Sequence, residues 1–247
     1  MNFGLLGKSL SHSFSKTYFE EKFQKEQLSN FTYTNFDMEN LDSLHQIIEN
    51  NSIKGLNVTI PYKEQIIPLL NEIDPVAKEI GAVNCITVSK QNDQLFLKGF
   101  NTDYYGFGQS IKPFLEPIHQ KALILGTGGA SKAIYYALKN VGVEVYFVTT
   151  GEKKASNYFH YSELNEYILN AFKLVVNCTP LGMSPKIDGL PNIPYQYLTS
   201  QHLLYDLIYN PETTLFLQKG KEKGAITING LNMLKLQADK AWEIWNS

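Results

Sequence analysis

The stretch from Ala122 to Ala137, reading ALILGTGGASKAIYYA, constrains this chain more than any other. An apolar run stops at Gly126, and Thr127, Gly128, Gly129, Ala130 and Ser131 follow. A helical pattern begins at once, with Ala130, Ala133, Ile134, Ala137, Leu138 and Val141 on one face. Strand, glycine turn, helix is the grammar of a dinucleotide phosphate site. Gly126 permits a tight turn and Gly128 lets a pyrophosphate approach the backbone. The helix starting near Gly129 offers unpaired N–H groups and the positive end of its dipole. The third glycine of the usual fingerprint is replaced by Ser131, small but not glycine. Taken alone, the same grammar also describes a flexible strand-to-helix turn that binds nothing.

Before this stretch, the pattern predicts strands over Phe3 to Leu6, Phe31 to Phe36 and Gly55 to Ile60. Helices are predicted over Lys16 to Gln27 and Met38 to Asn50, and another opened by Pro61 that runs past Lys63 to Leu70 and is kinked or ended by Pro68. Val83 to Val88 and Leu95 to Phe100 read as a strand pair joined by SKQND. The alternation implies an α/β domain with a mainly parallel sheet and a mixed edge. Asn101, Thr102 and Asp103 then precede a helix-like segment broken at Pro113, where the domain changes. Further strands are expected at Ala122–Leu125, Glu144–Val148, Leu174–Asn177, Leu203–Asp206 and Ala225–Thr227, mostly with helices between them, as in a doubly wound nucleotide fold. The last helix carries Leu231, Leu234, Ala238, Ala241, Trp242 and Trp245 on one stripe and has no strand after it, so it is expected to pack back on the first domain. At 247 residues and 43% apolar, the chain has enough material for two such domains.

A net charge of −2 argues against a nucleic-acid or membrane-surface partner. The densest basic cluster, Lys219, Lys221 and Lys223 beside Glu222, reads as a solvated helix face. Cys85 and Cys178 stand far apart in apolar runs and read as buried thiols. The five histidines show no metal-ligand spacing, so no metal is expected. The opening residues show no charged-then-apolar leader pattern, and a cytoplasmic location is expected.

Four polar clusters fall just past predicted strand ends, where open parallel sheets collect ligands. They are Ser11, His12, Ser13 and Ser15; Asn57, Thr59 and Lys63; Asn84 and Cys85; and Asn101, Thr102 and Asp103. Hydroxyls and amides with one cation and one carboxylate suit a small polyhydroxylated acid. Residue by residue there are plainer readings. Ser13, Ser15, Thr102 and Asp103 are also good helix N-caps, and Asn57 and Asn84 could satisfy loop backbone. Lys63 sits oddly in a helix's first turn, where a cation opposes the dipole. Gln237 lies on the buried side of the last helix, and its amide needs partners from a ligand or from backbone carbonyls.

Eight blocks in order carry a resemblance: GKSLSHSFSK, GLNVTIPYKE, IGAVNC, GFNTDYYGF, LGTGGASKA, VNCTPLGM, YDLIYNP and NGLNMLKLQA. The chain resembles the shikimate dehydrogenase family almost end to end. The resemblance implies an α/β substrate domain over 1–104 plus 231–247 and a Rossmann-like NADP-binding domain over 105–230. It implies that Ser13 and Ser15 hold a substrate carboxylate. Asn57, Thr59, Asn84 and Gln237 would bond ring hydroxyls, with Tyr209 beside them. Lys63 and Asp103 would be the catalytic pair. Gly126, Thr127, Gly128, Gly129 and Ala130 would form the phosphate loop, and Asn177, Thr179, Leu207 and Gly230 would line the cofactor cleft. The implied reaction is NADP-dependent reduction of 3-dehydroshikimate to shikimate, by a monomer or homodimer whose partner is a small molecule.

Cofactor choice is where the chain departs from the family. The strand after the glycine-loop helix ends in Thr149, Thr150 and Gly151, where the family carries Asn-Arg-Thr. The missing acid favours NADP, the missing arginine weakens the grip on its 2′-phosphate, and Lys153 and Lys154 either supply charge or are simply solvated. The expectation is NADP with reduced discrimination, NAD remaining open. Alternatives are a quinate/shikimate dehydrogenase using NAD and a non-catalytic binding paralogue.

Overall fold

The computed structural model describes every residue except Ser11, His12 and Lys154, so the expectations placed on those three lie outside the described residues. The chain divides into two units, residues 1–102 with 237–247 and residues 103–236.

Six strands form the sheet of the first unit: β1 (Asn2–Gly7), β2 (Thr32–Asp37), β3 (Ile53–Val58), β4 (Glu72–Ile73), β5 (Cys85–Gln91) and β6 (Gln94–Phe100), in the order β2-β1-β3-β5-β6-β4. β1 runs parallel to β2 and β3, and β4 parallel to β6, while β5 is antiparallel to both β3 and β6. Its helices are α1 (Phe14–Lys25), α2 (Leu44–Asn50) and α3 (Pro75–Ile80). Alternation along β1 feeds two cores. Phe3 and Leu5 pack with Phe19 and Phe23 of α1, and Leu6 packs with Leu44 and Ile48 of α2 and with Tyr62 and Ile66. Asn92 and Asp93, at φ 51° and 62°, make the two-residue turn that suits a twisted hairpin, so β5 and β6 extend further into SKQND than expected.

Two helices differ from expectation. The helix expected over Met38 to Asn50 begins only at Leu44, because 39–43 form turns after β2. The helix expected from Pro61 to Leu70 is absent: 61–66 are turns, followed by a short 3-10 segment at Ile67–Leu69. The reason is the destination of the carbonyls. The Lys63 carbonyl accepts the Val83 N–H at 2.8 Å rather than the N–H of Ile67, which bonds Glu64 instead, and Pro68 has no N–H to give. Asp74 caps α3 from its side chain, accepting the N–H groups of Val76 and Ala77.

The second unit contains α4 (Asp103–Ile111), β7 (Lys121–Leu125), α5 (Gly129–Asn140), β8 (Glu144–Thr149), β9 (Tyr158–His160), α6 (Glu166–Ala171), β10 (Leu174–Asn177), β11 (Leu203–Asp206), α7 (Leu215–Glu222), β12 (Ile226–Ile228) and the start of α8 (Leu231–Trp245). The strand order is β12-β11-β10-β7-β8-β9 and every pairing is parallel. That is the doubly wound order, with its switch point between β7 and β10. Both faces are covered, which is why β7 reads as an unbroken apolar run. Ala122 and Ile124 pack with Ile134, Ala137 and Leu138 of α5, while Leu123 and Leu125 pack with Leu169, Phe172, Phe216 and Leu217. The connections from β8 to β9 and from β10 to β11 carry no α-helix among the described residues.

The second half of α8, from Gln237 onward, belongs to the first unit. Ala238 is buried there among Phe3, Phe19 and Phe23, with Trp242 and Trp245 packed against them. Trp245 donates its indole N–H to the Ile86 carbonyl at 3.0 Å, and a Cβ on Gly55 would overlap that indole. No helix among the described residues is long and apolar enough to cross a membrane.

Candidate functional site

In the first unit, a polar chain runs from Tyr33 on β2 through Asn57 near the carboxyl end of β3. The Tyr33 hydroxyl donates to Asn57 Oδ1 at 2.7 Å, and the Asn57 amide donates to the Asn84 carbonyl at 3.4 Å. Asn84 Oδ1 accepts the Thr102 N–H at 2.6 Å, and its amide donates to Thr102 Oγ1 at 3.0 Å and to Gln237 Oε1 at 3.4 Å. The Thr102 hydroxyl lies 3.2 Å from the same Gln237 oxygen. Ser15, on α1, hydrogen-bonds the Tyr33 phenol, whose own ionisation burial pushes well above the usual range. Ser15, Asn57, Asn84 and Gln237 are thereby brought into one network. The Gln237 oxygen finds side-chain partners, and Thr102 uses its hydroxyl on that oxygen.

Ser13 and Thr59 are half-buried beside these elements. Ser13 occupies the N-cap position of α1 but makes no capping bond through its side chain. Asp37, at the end of β2, accepts the N–H groups of Ser9 at 2.9 Å and Leu10 at 3.0 Å. Those two bonds hold the Asp37 carboxyl below its ordinary pKa.

Lys63 is half-buried in the turn segment after β3, so no helix dipole opposes its charge. Its carbonyl is bonded to Val83, and the residue before Asp103 is bonded to Asn84. The backbones of Lys63 and Thr102 are therefore fastened to two consecutive residues. Asp103 is buried and opens α4, where the dipole favours an anion. Tyr209 is half-buried in the segment between β11 and α7.

The glycine loop of the second unit has the expected form. Gly126 follows β7 at φ +98°, a conformation that L side chains rarely adopt, and a Cβ there would stand 3.0 Å from Thr179 Cγ2. Thr127 and Gly128 lead into Gly129 and Ala130, the first turn of α5. No side chain among the described residues caps that turn, and a Cβ on Gly128 would meet nothing within 4 Å. An open backbone before an uncapped helix of twelve residues fits a pyrophosphate. Ser131 takes the place of the third glycine: it is buried, and its hydroxyl donates to the Gly128 carbonyl at 2.6 Å, closing the loop.

Across the switch point, Asn177 Oδ1 accepts the Thr179 N–H at 3.0 Å and hydroxyl at 2.7 Å, and its amide donates to Asp206 at 3.0 Å. Asp206 also accepts from the Thr214 hydroxyl at 2.6 Å and from Ile208 N–H at 3.1 Å, and burial still pushes its carboxyl up to about 6. Leu207 and Gly230 touch so closely that a Cβ on Gly230 would collide with the Leu207 carbonyl.

At the tip of β8, Thr149 is buried with its hydroxyl accepting the Gly151 N–H at 3.0 Å, and Thr150 is exposed. Lys153 is neither unengaged nor simply solvated: it donates to Glu163 at 2.6 Å. Glu163, Tyr33, Asp37 and Asp206 are the residues that sequence reasoning missed. Asp206 sat inside the quoted YDLIYNP block, but nothing in the pattern separated it from ordinary strand-end polarity.

The family model described as shikimate dehydrogenase substrate binding domain matches residues 5–86. The shikimate dehydrogenase (NADP(+)) of Desulforamulus reducens is 36% identical over 262 residues, covering 98% of this chain and 88% of that protein. The crystal structure of shikimate dehydrogenase 1 from Peptoclostridium difficile superposes with a TM-score of 0.84 at 38% identity, covering 99% of this chain and 91% of that one. Shikimate 5-dehydrogenase from Thermus thermophilus, solved in complex with NADP(H) and shikimate, gives a TM-score of 0.85 at 29% identity over 99% and 93% of the two chains.

Proposed function

The chain belongs to the shikimate dehydrogenase family, and we propose that Lys63 and Asp103 carry its chemistry. The activity is that of the family, the reversible NADP-dependent reduction of 3-dehydroshikimate to shikimate, an oxidoreductase step of aromatic amino-acid biosynthesis. When bound, the dinucleotide supplies the hydride. Lys63 gives a proton to the ketone oxygen and takes it back in the reverse direction. Asp103 fixes the substrate hydroxyl geometry and shares that proton. Ser13 and Ser15 grip the carboxylate. Asn57, Thr59, Asn84 and Gln237 read the ring hydroxyls, and Tyr209 lies beside the ring. Gly126, Thr127, Gly128, Gly129 and Ala130 hold the pyrophosphate, with Asn177, Thr179, Leu207 and Gly230 toward the nicotinamide and Thr149, Thr150 and Lys153 toward the adenosine.

One observation supports the catalytic pairing above the rest. Val83 anchors the backbone of Lys63 and Asn84 anchors Thr102, so residues forty positions apart are tied to neighbouring points of one segment beside the hydroxyl-reading amides. With a net charge of −2 and a small acid as partner, the protein works as a cytoplasmic monomer or homodimer without nucleic acid or membrane.

The test follows reduced dinucleotide absorbance with 3-dehydroshikimate. Lys63→Ala is expected to lower kcat by about 10²–10⁴-fold with a modest change in KM. A raised KM with kcat intact makes Lys63 a binding residue only. Turnover of quinate with NAD exceeding that of shikimate would replace the substrate assignment.

A further inference from the structure

We propose that Glu163 sets how strongly this chain prefers NADP(H) to NAD(H), by holding Lys153 in an ion pair that a 2′-phosphate must break. The proposal rests on the dehydrogenase reading above. In a doubly wound fold, the strand that follows the glycine-loop helix ends at the adenosine ribose, where an acid bonds the hydroxyls of NAD or a cation takes the phosphate of NADP. Here that strand is β8, and no acid stands at its tip.

The acid comes instead from the next strand. His160, the last residue of β9, lies opposite Thr149 in the parallel register, and Glu163 follows within one turn. Its carboxylate is fixed twice, by the His160 N–H at 2.6 Å and by Lys153, whose ammonium lies 2.6 Å from Oε1 and 2.5 Å from Oε2. These partners also hold the Glu163 carboxyl below its ordinary pKa, so it is an anion at neutral pH. Lys153, in the segment that follows this strand end, is thus already neutralised.

The two dinucleotides meet this pair differently. A ribose 2′-hydroxyl can donate to a carboxylate and leave the pair intact. A 2′-phosphate gains Lys153 only by exchange, and the released Glu163 then stands as a like charge beside it. Both side chains keep about a third or more of their surface in solvent, at 34% and 41%, so the pair is weak enough to be displaced. The preference for NADP(H) is narrowed rather than abolished.

The test measures dissociation constants of NADP+ and NAD+ by calorimetry on the full chain without substrate. Glu163→Gln keeps an oxygen for the His160 N–H and removes only the charge. It is expected to raise the ratio of NAD+ to NADP+ dissociation constants by about five- to tenfold, the scale of one solvent-screened charge contact. Lys153→Gln lowers that ratio, because the phosphate loses its cation and meets an unpaired Glu163. Thermal melts of each variant confirm an intact fold. A ratio within twofold of the parent in Glu163→Gln, or a ratio left unchanged by Lys153→Gln, overturns the proposal. If that happens while 3-dehydroshikimate is still reduced, only the role of Glu163 falls. If neither dinucleotide binds the parent chain, the dehydrogenase reading falls with it.

Discussion

Single residues decide how the site is held, and the sequence shows the gripping groups better than the groups that hold them. Ser15, Asn57 and Asn84 stand out because polar side chains past strand ends have no packing role to explain them. Tyr33 does not, because a tyrosine in an alternating strand reads as core. Yet its hydroxyl links Ser15 to Asn57. Tyr33→Phe keeps the ring that stacks on Phe19 with centroids 4.5 Å apart and strips Asn57 Oδ1 of its donor. The expected cost is about 1–3 kcal/mol in unfolding free energy, from one buried acceptor left unmet. KM for shikimate should rise about tenfold, a share of binding worth about 1.4 kcal/mol, while the NADP+ dissociation constant holds. Steady-state kinetics with calorimetry read both. Asp206 makes the pH prediction. Burial raises its carboxyl from 3.8 to about 6, so the folded chain holds that proton more tightly than the unfolded one. The stabilisation is present below pH 3.8 and is lost as pH rises through 6, by at most about 3 kcal/mol. The difference in unfolding free energy between Asp206→Asn and the parent should therefore climb from about pH 4 to about pH 6 and level off above it. A flat difference in denaturant titrations over that range rules the linkage out.

At the scale of elements, legibility followed the range of the forces involved. Five of the second unit's six strands lie within a residue or two of where their apolar runs placed them, because a strand buried on both faces writes itself as an unbroken run. The short edge strand β9 is not among the expected strands. The turn segment after β3 reads as a helix because Pro61 suits a helix's first position, although Lys63 opposes the dipole there. What removes the helix is Val83, twenty residues away, which takes the carbonyl a helix would need. The glycine loop allows two identical substitutions to separate fold from function. Gly126→Ala forces a side chain into φ +98° against Thr179 and should cost about 1–3 kcal/mol of stability. Gly128→Ala places its methyl where no atom lies within 4 Å, so the melting temperature should hold. If that open space receives the pyrophosphate, as proposed, NADP+ affinity should drop at least tenfold all the same. Equal melting temperatures for the two variants, or undiminished affinity in Gly128→Ala, would remove the phosphate role from this loop.

For the whole molecule, the chain's two ends build one unit between them, and this was legible only because the last helix had no strand to serve. Its apolar stripe demanded a partner, and the structure supplies Phe3, Phe19 and Phe23, with Trp245 at 4.9 Å from the Phe3 ring and Trp242 at 5.4 Å from Phe23. Gly55 is bare so that the Trp245 indole can seat over β3. The same helix that closes this core also delivers Gln237 to the amide network, so stability and the proposed substrate contacts share one segment. A chain stopped at Leu236 loses both tryptophans, Ala238 and Ala241 from the first unit. Large-to-small changes at buried aromatic positions cost about 3–5 kcal/mol each, against total stabilities of about 5–15 kcal/mol for a domain. The first unit should therefore be unfolded at room temperature in the shortened chain. The second unit keeps its all-parallel sheet and Met233, which packs in its own core. Calorimetry should show one unfolding transition where the full chain's heat is larger, with NADP+ binding retained and shikimate turnover gone. A shortened chain that keeps the near-ultraviolet signature of its first-unit aromatics would mean that β1, α1 and β2 close their core without the returning helix.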